Sequence, residues 1–220
     1  MGEPRVIAAE RPAGFFNRLL FRFLWLTVGI GCRLWFRIRV VGRPTLKGGY
    51  VIAVNHSSFL DPILLSSVCW RRITFMMTVI VFRSPWLGWF YRSQRAIPLE
   101  VRGGNRDALR AARAVLARGE VLGIFPEGGI SRDGELMLGS PGAVSLGLSG
   151  GVPIVPVAIL GAHDAFPPGA GFPRFRRVTI VFGEPIDPEA IGVGANRRER
   201  LAIATEQIMA KIAALRSTPR

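Results

Sequence analysis

The sequence predicts an α/β fold with a mixed, largely parallel central sheet that is flanked by helices. Two observations carry this prediction. Strand-like and helix-like segments alternate from residue 37 onward, which is typical of a sheet with helices on its faces. The chain has 220 residues, of which 49% are hydrophobic, so it is long and apolar enough to bury one substantial core.

Short apolar segments that are rich in Val, Ile and Phe predict the strands. Several are bounded by Gly, Pro or charged residues, which favour turns and loops over continued pairing in a sheet. Six segments fit this description: residues 37–41, 50–55, 74–79, 121–125, 154–160 and 178–182.

Segments with apolar residues at helical spacing predict the helices. The clearest is 106–118, where such residues recur every three or four positions and Gly119 ends the run. The other predicted helices are residues 62–70, 86–91, 143–148 and 197–215.

Residues 15–36 predict an N-terminal amphipathic helix, so we divide the chain into a segment 1–36 and a folded domain 37–220. The segment is dense in Phe, Leu and Trp, but the uncharged run between Arg22 and Arg33 has only 10 residues. That is about half of the roughly 20 residues that span a bilayer.

An interfacial, membrane-associating helix fits this composition, because aromatic and Leu side chains enter the headgroup boundary while Arg stays in water. A helix that packs on the core of the domain is the alternative. No small-residue cleavage site follows the apolar run, so we expect no cleaved signal peptide. Residues 79–91 form a second apolar, Trp-rich stretch, either another membrane-facing patch or a core helix.

The charge of the chain indicates which partners to expect. The formal net charge is +14 and the mean hydropathy is +0.31, a combination that favours an anionic membrane surface. Nucleic acid is the rival partner for so basic a chain. Only Lys47 and Lys211 are lysines, so a bias toward Arg codons is a third explanation for part of the charge.

The two cysteines, Cys32 and Cys69, both have apolar neighbours in the sequence. They lack the CxxC spacing of zinc sites and are too few for a disulfide scaffold. We expect buried, reduced thiols, which is consistent with the cytosol.

The run NHSSFLDP at residues 55–62 is the strongest chemical signal in the chain. His56 follows a predicted strand, at the end where open α/β sheets bind ligands, and Asp61 lies five residues later. A carboxylate that holds an imidazole makes a general base for deprotonating a hydroxyl, because it fixes the tautomer and stabilises the imidazolium. The simpler interpretation is that Asp61 caps a helix with Pro62 at its first position.

Two other residues with catalytic potential have simpler interpretations. His163 lies between a predicted strand and a Pro/Gly-rich loop, which favours a turn residue. Ser149 satisfies the G-x-S-x-G pattern of serine hydrolases, but that elbow requires a strand before the serine and a helix after it. Here the order is reversed, and Gly150 and Gly151 are typical of a helix C-cap.

A second block, FPEGGISR at residues 125–132, gives the first one a context. Together with NHSSFLDP it resembles the glycerolipid acyltransferase family, whose members carry NHxSxxD followed by FPEGTRS. The VPIVPV run at residues 152–157 is similar to a third family block. The three blocks occur in the family's order over most of the chain, roughly residues 37 to 185.

The resemblance implies an enzyme that moves a fatty acyl group from acyl-CoA or acyl carrier protein to the hydroxyl of a lysophospholipid, with 1-acylglycerol 3-phosphate as the expected acceptor. His56 would be the base and Asp61 its partner. The other candidate substrate-binding residues from the motifs are Asn55, Ser58, Glu127, Gly128 and Gly129. The main-chain N–H groups of the Glu127–Gly129 loop would stabilise the oxyanion, because glycine lets the backbone approach a substrate closely.

Two departures from the family pattern concern the acceptor phosphate. Ile130 stands where the family carries an Arg that is thought to hold that phosphate, and Arg132 is the nearest substitute. A second family Arg corresponds to Arg102, displaced by about one residue, with Arg95 as another possibility. Isoleucine cannot replace a guanidinium that binds phosphate. The motifs therefore support acyl transfer more strongly than they support a particular acceptor.

The expected protein is a peripheral or monotopic membrane acyltransferase on the cytoplasmic face of the cell membrane, with 37–220 as the acyltransferase domain. We expect no metal and no organic cofactor, and no nucleic acid as partner. A lipid-linked hydroxyl as acceptor, a lipid or thioester hydrolase, and a non-enzymatic binder are the alternatives. The pair His56 and Asp61 counts against the last of these.

Overall fold

The computed structural model describes residues 9, 14–83, 88–100, 104–192, 194 and 196–217, without the side chains of residues 89 and 90. The helices in these residues are α1 (Phe15–Trp35), α2 (Asp61–Val68), α3 (Val79–Phe82), α4 (Gly88–Ser93), α5 (Arg106–Ala117), α6 (Gly142–Gly150), α7 (Ala162–Ala165) and α8 (Arg197–Arg216). The strands are β1 (Arg39–Val41), β2 (Tyr50–Val54), β3 (Ile73–Thr78), β4 (Ile97–Leu99), β5 (Val121–Ile124), β6 (Ile154–Leu160) and β7 (Thr179–Phe182).

Within the described residues, the strands form one seven-stranded sheet in the order β1-β7-β6-β2-β5-β3-β4. Neighbouring strands are parallel except for β6 and β7, which are antiparallel. The prediction of a mixed, largely parallel α/β sheet is therefore confirmed. All five residues of β2 are buried, as expected for a central strand that is covered on both faces.

Alternate residues of the strands build two hydrophobic cores on opposite faces of the sheet. Val51 and Ala53 of β2 face the core that α5, α6 and α8 cover. Tyr50, Ile52 and Val54 face the core that α2 and α7 cover, which Phe36 also joins. The period of two along β2 thus places helices on both sides of the strand that precedes the NHSSFLDP run.

Helix α1 docks on the second of these faces and leaves a wide apolar stripe outside. Gly29 is buried beside the main chain of Ser67 in α2, and Trp25 stacks on Trp70 with ring centroids 4.4 Å apart. The stripe on the other side of α1 contains Phe16, Leu19, Phe23, Leu26, Ile30 and Leu34, all exposed. By length and composition this 21-residue helix could cross a membrane, a test that core helices and signal sequences also pass.

Each of the six predicted strands and five predicted helices corresponds to an element. The strand 154–160 has the predicted ends and the others are shifted, although residues 86 and 87 lie outside the described residues. The prediction missed β4, because Pro98 and a length of three residues give no strand signal. The described part of the stretch 79–91 forms α3 and the first residues of α4. Ile80 is exposed and Tyr91 is buried, so this part contains both surface and core residues.

Candidate active site

The site lies at the carboxyl ends of β2 and β5, which are adjacent in the sheet. The connection after β2 leads to α2 on one face, and the connection after β5 leads to α6 on the other face. Adjacent strands whose connections leave in opposite directions open a crevice between them, where α/β proteins bind ligands. The NHSSFLDP and FPEGGISR runs therefore meet at the edge predicted from the sequence.

His56 and Asp61 form the predicted pair. Nδ1 of His56 lies 2.9 Å from Oδ2 of Asp61, and the Asp61 side chain is completely buried. A carboxylate at Nδ1 holds the proton on that nitrogen and leaves Nε2 unprotonated as the basic atom. The imidazole of His56 lines a cavity, so the ring that carries the basic nitrogen is accessible to a ligand bound there.

Asp61 organises the loop that carries His56, and it does not cap the helix in the way the simpler interpretation held. The N-cap is Leu60, and Asp61 is the first helical residue. Its Oδ2 accepts hydrogen bonds from N–H groups upstream of the helix, those of Ser57 (2.7 Å) and Ser58 (2.8 Å), and not from the first turn of the helix. Among the described residues nothing donates to Oδ1 of Asp61. One oxygen therefore fixes both the imidazole and the turn beneath it.

Glu127 ties the second loop to the first. Its Oε1 accepts the main-chain N–H of His56 at 2.7 Å, and its Oε2 accepts that of Met137 at 2.8 Å. Burial raises the pKa of Glu127 above its usual value, and these two N–H donors offset part of that effect. The Ser131 N–H also donates to the His56 carbonyl at 2.8 Å, so both main-chain polar groups of His56 are held by the FPEGGISR loop.

The two glycines after Glu127 are exposed and line the same cavity as His56. Gly128 has a φ of +71°, a left-handed conformation that favours glycine, and its N–H closes a turn on the Phe125 carbonyl at 3.1 Å. Of the predicted oxyanion donors, the Gly128 N–H is thus already engaged. Among the described residues no acceptor occupies the N–H of Glu127 or of Gly129. Gly129 lines the cavity and Glu127 is not among its lining residues, so Gly129 is the better candidate.

The imidazole of His56 stacks on Phe125, with ring centroids 3.9 Å apart and planes inclined by 22°. Both rings line a cavity of about 510 Å³, within the usual range for small-molecule sites. Gly128, Gly129, Gly142, Ile130 and Ser140 also line the cavity, and the remaining lining is mainly apolar. That apolar lining includes Pro62, Met76, Met77, Val81, Leu99, Leu109, Ile124 and Leu146.

Asn55 and Ser58 lie in the motif but bind main chain. The Asn55 amide exchanges two hydrogen bonds with Ile159 of β6, at 3.1 and 2.7 Å. The Ser58 hydroxyl donates to the Phe166 carbonyl at 2.8 Å and accepts from the Leu60 N–H. Both side chains are buried, and their hydrogen bonds support the loop. A contact with substrate stays a prediction for both residues.

The arginines that the sequence offered for the acceptor phosphate differ in position. Arg132 is exposed and directly follows Ser131, which bonds to His56. Arg102 lies outside the described residues. Arg95 is buried, and its charged neighbours are Glu120 and Arg118 at the start of β5, the edge of the sheet away from His56. Arg95 is not among the described residues that line the His56 cavity, so its contact with the acceptor stays a prediction.

His163, which the sequence predicted to be a turn residue, lies beside the site. It belongs to the single-turn helix α7, its Nδ1 lies 3.3 Å from the Ser57 carbonyl, and its ring packs on Gly134. It therefore contacts the NHSSFLDP loop and the segment that follows FPEGGISR. Ser149 lies in the last turn of α6, before the amino end of β6, and Gly151 is the left-handed C-cap that its sequence predicted.

Several residues of the site have no functional signal in the sequence. Phe125 belongs to the motif, but stacking on an imidazole leaves no sequence signal. Met137 contributes only its main-chain N–H, which no side chain reveals. Arg216, from the end of α8, donates to the Gly134 carbonyl at 2.8 Å and lies near enough to Glu127 to favour its charged form. Among the described residues, no group of three or more His, Cys, Asp and Glu side chains could hold a metal ion.

Comparison with known proteins gives consistent matches. The family model described as Acyltransferase matches residues 37–160. A protein of Bacillus subtilis called 1-acyl-sn-glycerol-3-phosphate acyltransferase is 30% identical over 167 residues, which cover 74% of this chain and 79% of that protein. A chloroplast protein of Arabidopsis thaliana with the same activity in its name is 27% identical over 92% of this chain, which spans 58% of that relative's length.

One solved structure shares the fold. The crystal structure of the 1-acyl-sn-glycerophosphate acyltransferase PlsC from Thermotoga maritima aligns with a TM-score of 0.71 at 21% identity. The alignment covers 93% of this chain and 83% of the other. At that identity the likeness bears on the fold alone.

Proposed function

The chain belongs to the acyltransferase family, and we propose that it transfers a fatty acyl group from an acyl thioester to the hydroxyl of 1-acylglycerol 3-phosphate, which yields phosphatidate. The observation that carries the proposal is the buried Asp61 carboxylate 2.9 Å from Nδ1 of His56, beside an apolar cavity. The names of the relatives from Bacillus subtilis and Arabidopsis thaliana support the acceptor.

The proposed reaction is direct transfer. Nε2 of His56 takes the proton of the acceptor hydroxyl as its oxygen attacks the thioester carbonyl carbon, and a tetrahedral oxyanion forms. The new C–O bond remains, the C–S bond breaks, and His56 returns the proton to the leaving thiolate. Asp61 stabilises the imidazolium in between, so the step needs no metal and no organic cofactor.

The oxyanion requires hydrogen-bond donors that are already in place before the reaction. We assign the main-chain N–H of Gly129 to this role, because Gly128 is engaged in its turn and nothing within 4 Å crowds either glycine. Glu127 acts on this site through the main chain. It holds the His56 and Met137 main chains, which makes it a positioning residue rather than a direct contact of the acceptor.

The apolar part of the cavity suits the acyl chain of the donor. Its lining of Met, Leu, Ile and Val offers burial without hydrogen bonds, and His56 stands where the thioester would lie. The donor is therefore an acyl-CoA or an acyl carrier protein, both of which present a fatty thioester. The polar end, with Arg132 close by in the chain, is left for the acceptor and its phosphate.

A different lysolipid or a lipid-linked hydroxyl is the second candidate acceptor. One observation favours it, namely that Ile130 lines the cavity at the position where the family carries a phosphate-binding Arg. Hydrolysis differs from both only in that water replaces the acceptor. A panel of lysolipids, incubated with purified protein and labelled acyl-CoA and read by mass spectrometry, separates these outcomes.

We also place the enzyme on the cytoplasmic face of an anionic membrane. The exposed apolar stripe of α1 and the net charge of +14 support attachment by burial of apolar side chains and by attraction to anionic lipid together. Removing residues 1–35 should strongly weaken binding to anionic vesicles. High salt should only weaken binding, whereas a nucleic-acid binder would lose affinity steeply with salt.

A further inference from the structure

Two exposed phenylalanines lie far from α1 in the sequence but beside its end in the fold. Phe172 is 72% exposed and Phe175 is 58% exposed. Both rings contact Trp35 edge to face, with centroids 6.1 and 5.8 Å from the indole. Trp35 itself is 43% exposed. Scattered exposed apolar residues are ordinary, but three large aromatic rings that are clustered and exposed mark an interaction surface.

This aromatic cluster extends the apolar stripe of α1. Leu34, which is 71% exposed, ends the stripe and directly precedes Trp35. The contact between Trp35 and the two phenylalanines therefore joins residues 171–177 to the helix. In the sequence, residues 171–177 are only part of a Pro/Gly-rich loop. No periodic pattern predicts that they contact the N-terminal segment.

The backbone holds residues 171–177 in place. The Arg174 N–H donates to the Ala165 carbonyl at 2.7 Å, and the Val178 N–H donates to the Phe36 carbonyl at 2.9 Å. The phenylalanines are thus presented from a fixed loop between α7 and β7. Because the loop is already ordered, binding a surface through it avoids much of the entropy cost of ordering a free segment.

Arginines accompany the aromatic rings in the same segment. Arg174, Arg176 and Arg177 are exposed, and within the described ranges none of them pairs with an acid. Aromatic rings that enter the headgroup boundary beside guanidinium groups that stay at the phosphates are the chemistry of a lipid interface. An apolar protein partner would not require three unpaired positive charges.

The loop is also connected to the catalytic motif. Ser58, whose N–H binds Asp61, donates its hydroxyl hydrogen bond to the carbonyl of Phe166, where this loop begins. One continuous stretch, residues 166–177, therefore runs from the motif loop to the aromatic cluster. A lipid held at the cluster would be held by the same framework that positions the base.

We infer that residues 171–177 form a second membrane contact, in which Phe172 and Phe175 enter the interface with Trp35 and the three arginines bind the phosphates of an anionic bilayer. The inference rests on the proposed function, because it assumes an enzyme that works at a lipid surface. It goes further by assigning part of that surface to the catalytic domain.

The test uses the full chain and co-sedimentation with vesicles of phosphatidylcholine, with and without phosphatidylglycerol. Phe172→Ser with Phe175→Ser should weaken vesicle binding on the order of tenfold, through lost apolar burial. Phe172→Trp with Phe175→Trp should retain it. Leu138→Ser is the matched control, because it removes an apolar side chain that is 94% exposed but lies against α8, on the other face of the sheet.

The charges give an independent arm. Replacing Arg174, Arg176 and Arg177 by Gln should lower binding to the anionic vesicles and leave binding to pure phosphatidylcholine unchanged. The serine variant should also lose activity on vesicle-borne acceptor while it keeps activity on a short-chain, soluble one.

The outcomes separate this inference from the proposed function. If the wild-type chain binds no vesicles, the membrane assignment itself fails. If the wild type binds and the serine variant binds equally well, only the second contact is wrong. If the wild type is a dimer that the serine variant converts to a monomer with unchanged vesicle binding, the cluster is an interface between copies, which also overturns the inference.

Discussion

The main-chain N–H of His56 donates a 2.7 Å hydrogen bond to Oε1 of Glu127, which lies 71 residues later in the chain. Through this bond the FPEGGISR loop fixes the backbone of the base, while Asp61 fixes its ring. The site is thus held from two directions before any substrate arrives, which is the condition for a base to act at a set distance.

Glu127→Gln should lose much of the activity even though it preserves the shape of the side chain. Both carboxylate oxygens accept N–H groups, and an amide would turn its NH₂ toward one of these donors. Losing one such hydrogen bond costs about 1 kcal/mol, since the His56 N–H is part-buried and the Met137 N–H is exposed. We expect a lower kcat and a lower Tm, and a variant with wild-type kcat would show that Glu127 does not position His56.

Arg132→Ala should raise the KM for 1-acylglycerol 3-phosphate more than it lowers kcat, because a phosphate contact acts mainly in binding. Restoring the family residue with Ile130→Arg in the same chain should recover the KM, since a guanidinium at that position faces the cavity that Ile130 lines. Steady-state kinetics over a range of acceptor concentrations check this. An unchanged KM in the single variant would remove Arg132 from the site.

Leu109→Trp should shorten the acyl chains that the enzyme accepts. Leu109 lines the cavity from α5 and is 38% exposed, so a larger ring has room to turn inward without unfolding the helix. We expect kcat/KM to fall for long-chain acyl-CoA and to hold for short-chain acyl-CoA, with Leu109→Ala as the control that leaves both near wild type. Equal losses for all chain lengths would place the acyl chain elsewhere.

The two free thiols predict how stability depends on alkaline pH. Burial raises the pKa of Cys32 to about 11 and that of Cys69 to about 12, from 9.0 when unperturbed. Their contribution is therefore complete below pH 9 and is lost as the pH rises toward these values, because the unfolded thiols ionise first. The free energy of unfolding in urea should fall above pH 9, and less steeply in Cys32→Ala with Cys69→Ala. Equal slopes would contradict it.

The sequence predicted the sheet, most of its helices and the pair His56 and Asp61, because strand period and a five-residue spacing are local properties. It did not predict how the parts are joined. That Glu127 binds the His56 main chain and that Phe172 meets Trp35 both depend on tertiary contacts between segments that no local pattern links. Asp61 binds N–H groups only three and four residues upstream, but its position before Pro62 favoured a helix cap, so the sequence did not reveal this local contact. Arg95 shows a further limit, since a residue close in sequence to a family position is buried and does not belong to the described lining of the His56 cavity.

The most direct test of the account compares wild type, His56→Ala and Asp61→Asn with labelled acyl-CoA and 1-acylglycerol 3-phosphate, and identifies the product by mass spectrometry. We predict phosphatidate from the wild type and no acylated protein when the acceptor is withheld. His56→Ala should lower the rate on the order of 10²–10⁴ with an unchanged Tm, and Asp61→Asn should also lose most of the activity. Transfer at the wild-type rate by His56→Ala, or an acyl group found on the protein, would contradict direct transfer with His56 as the base.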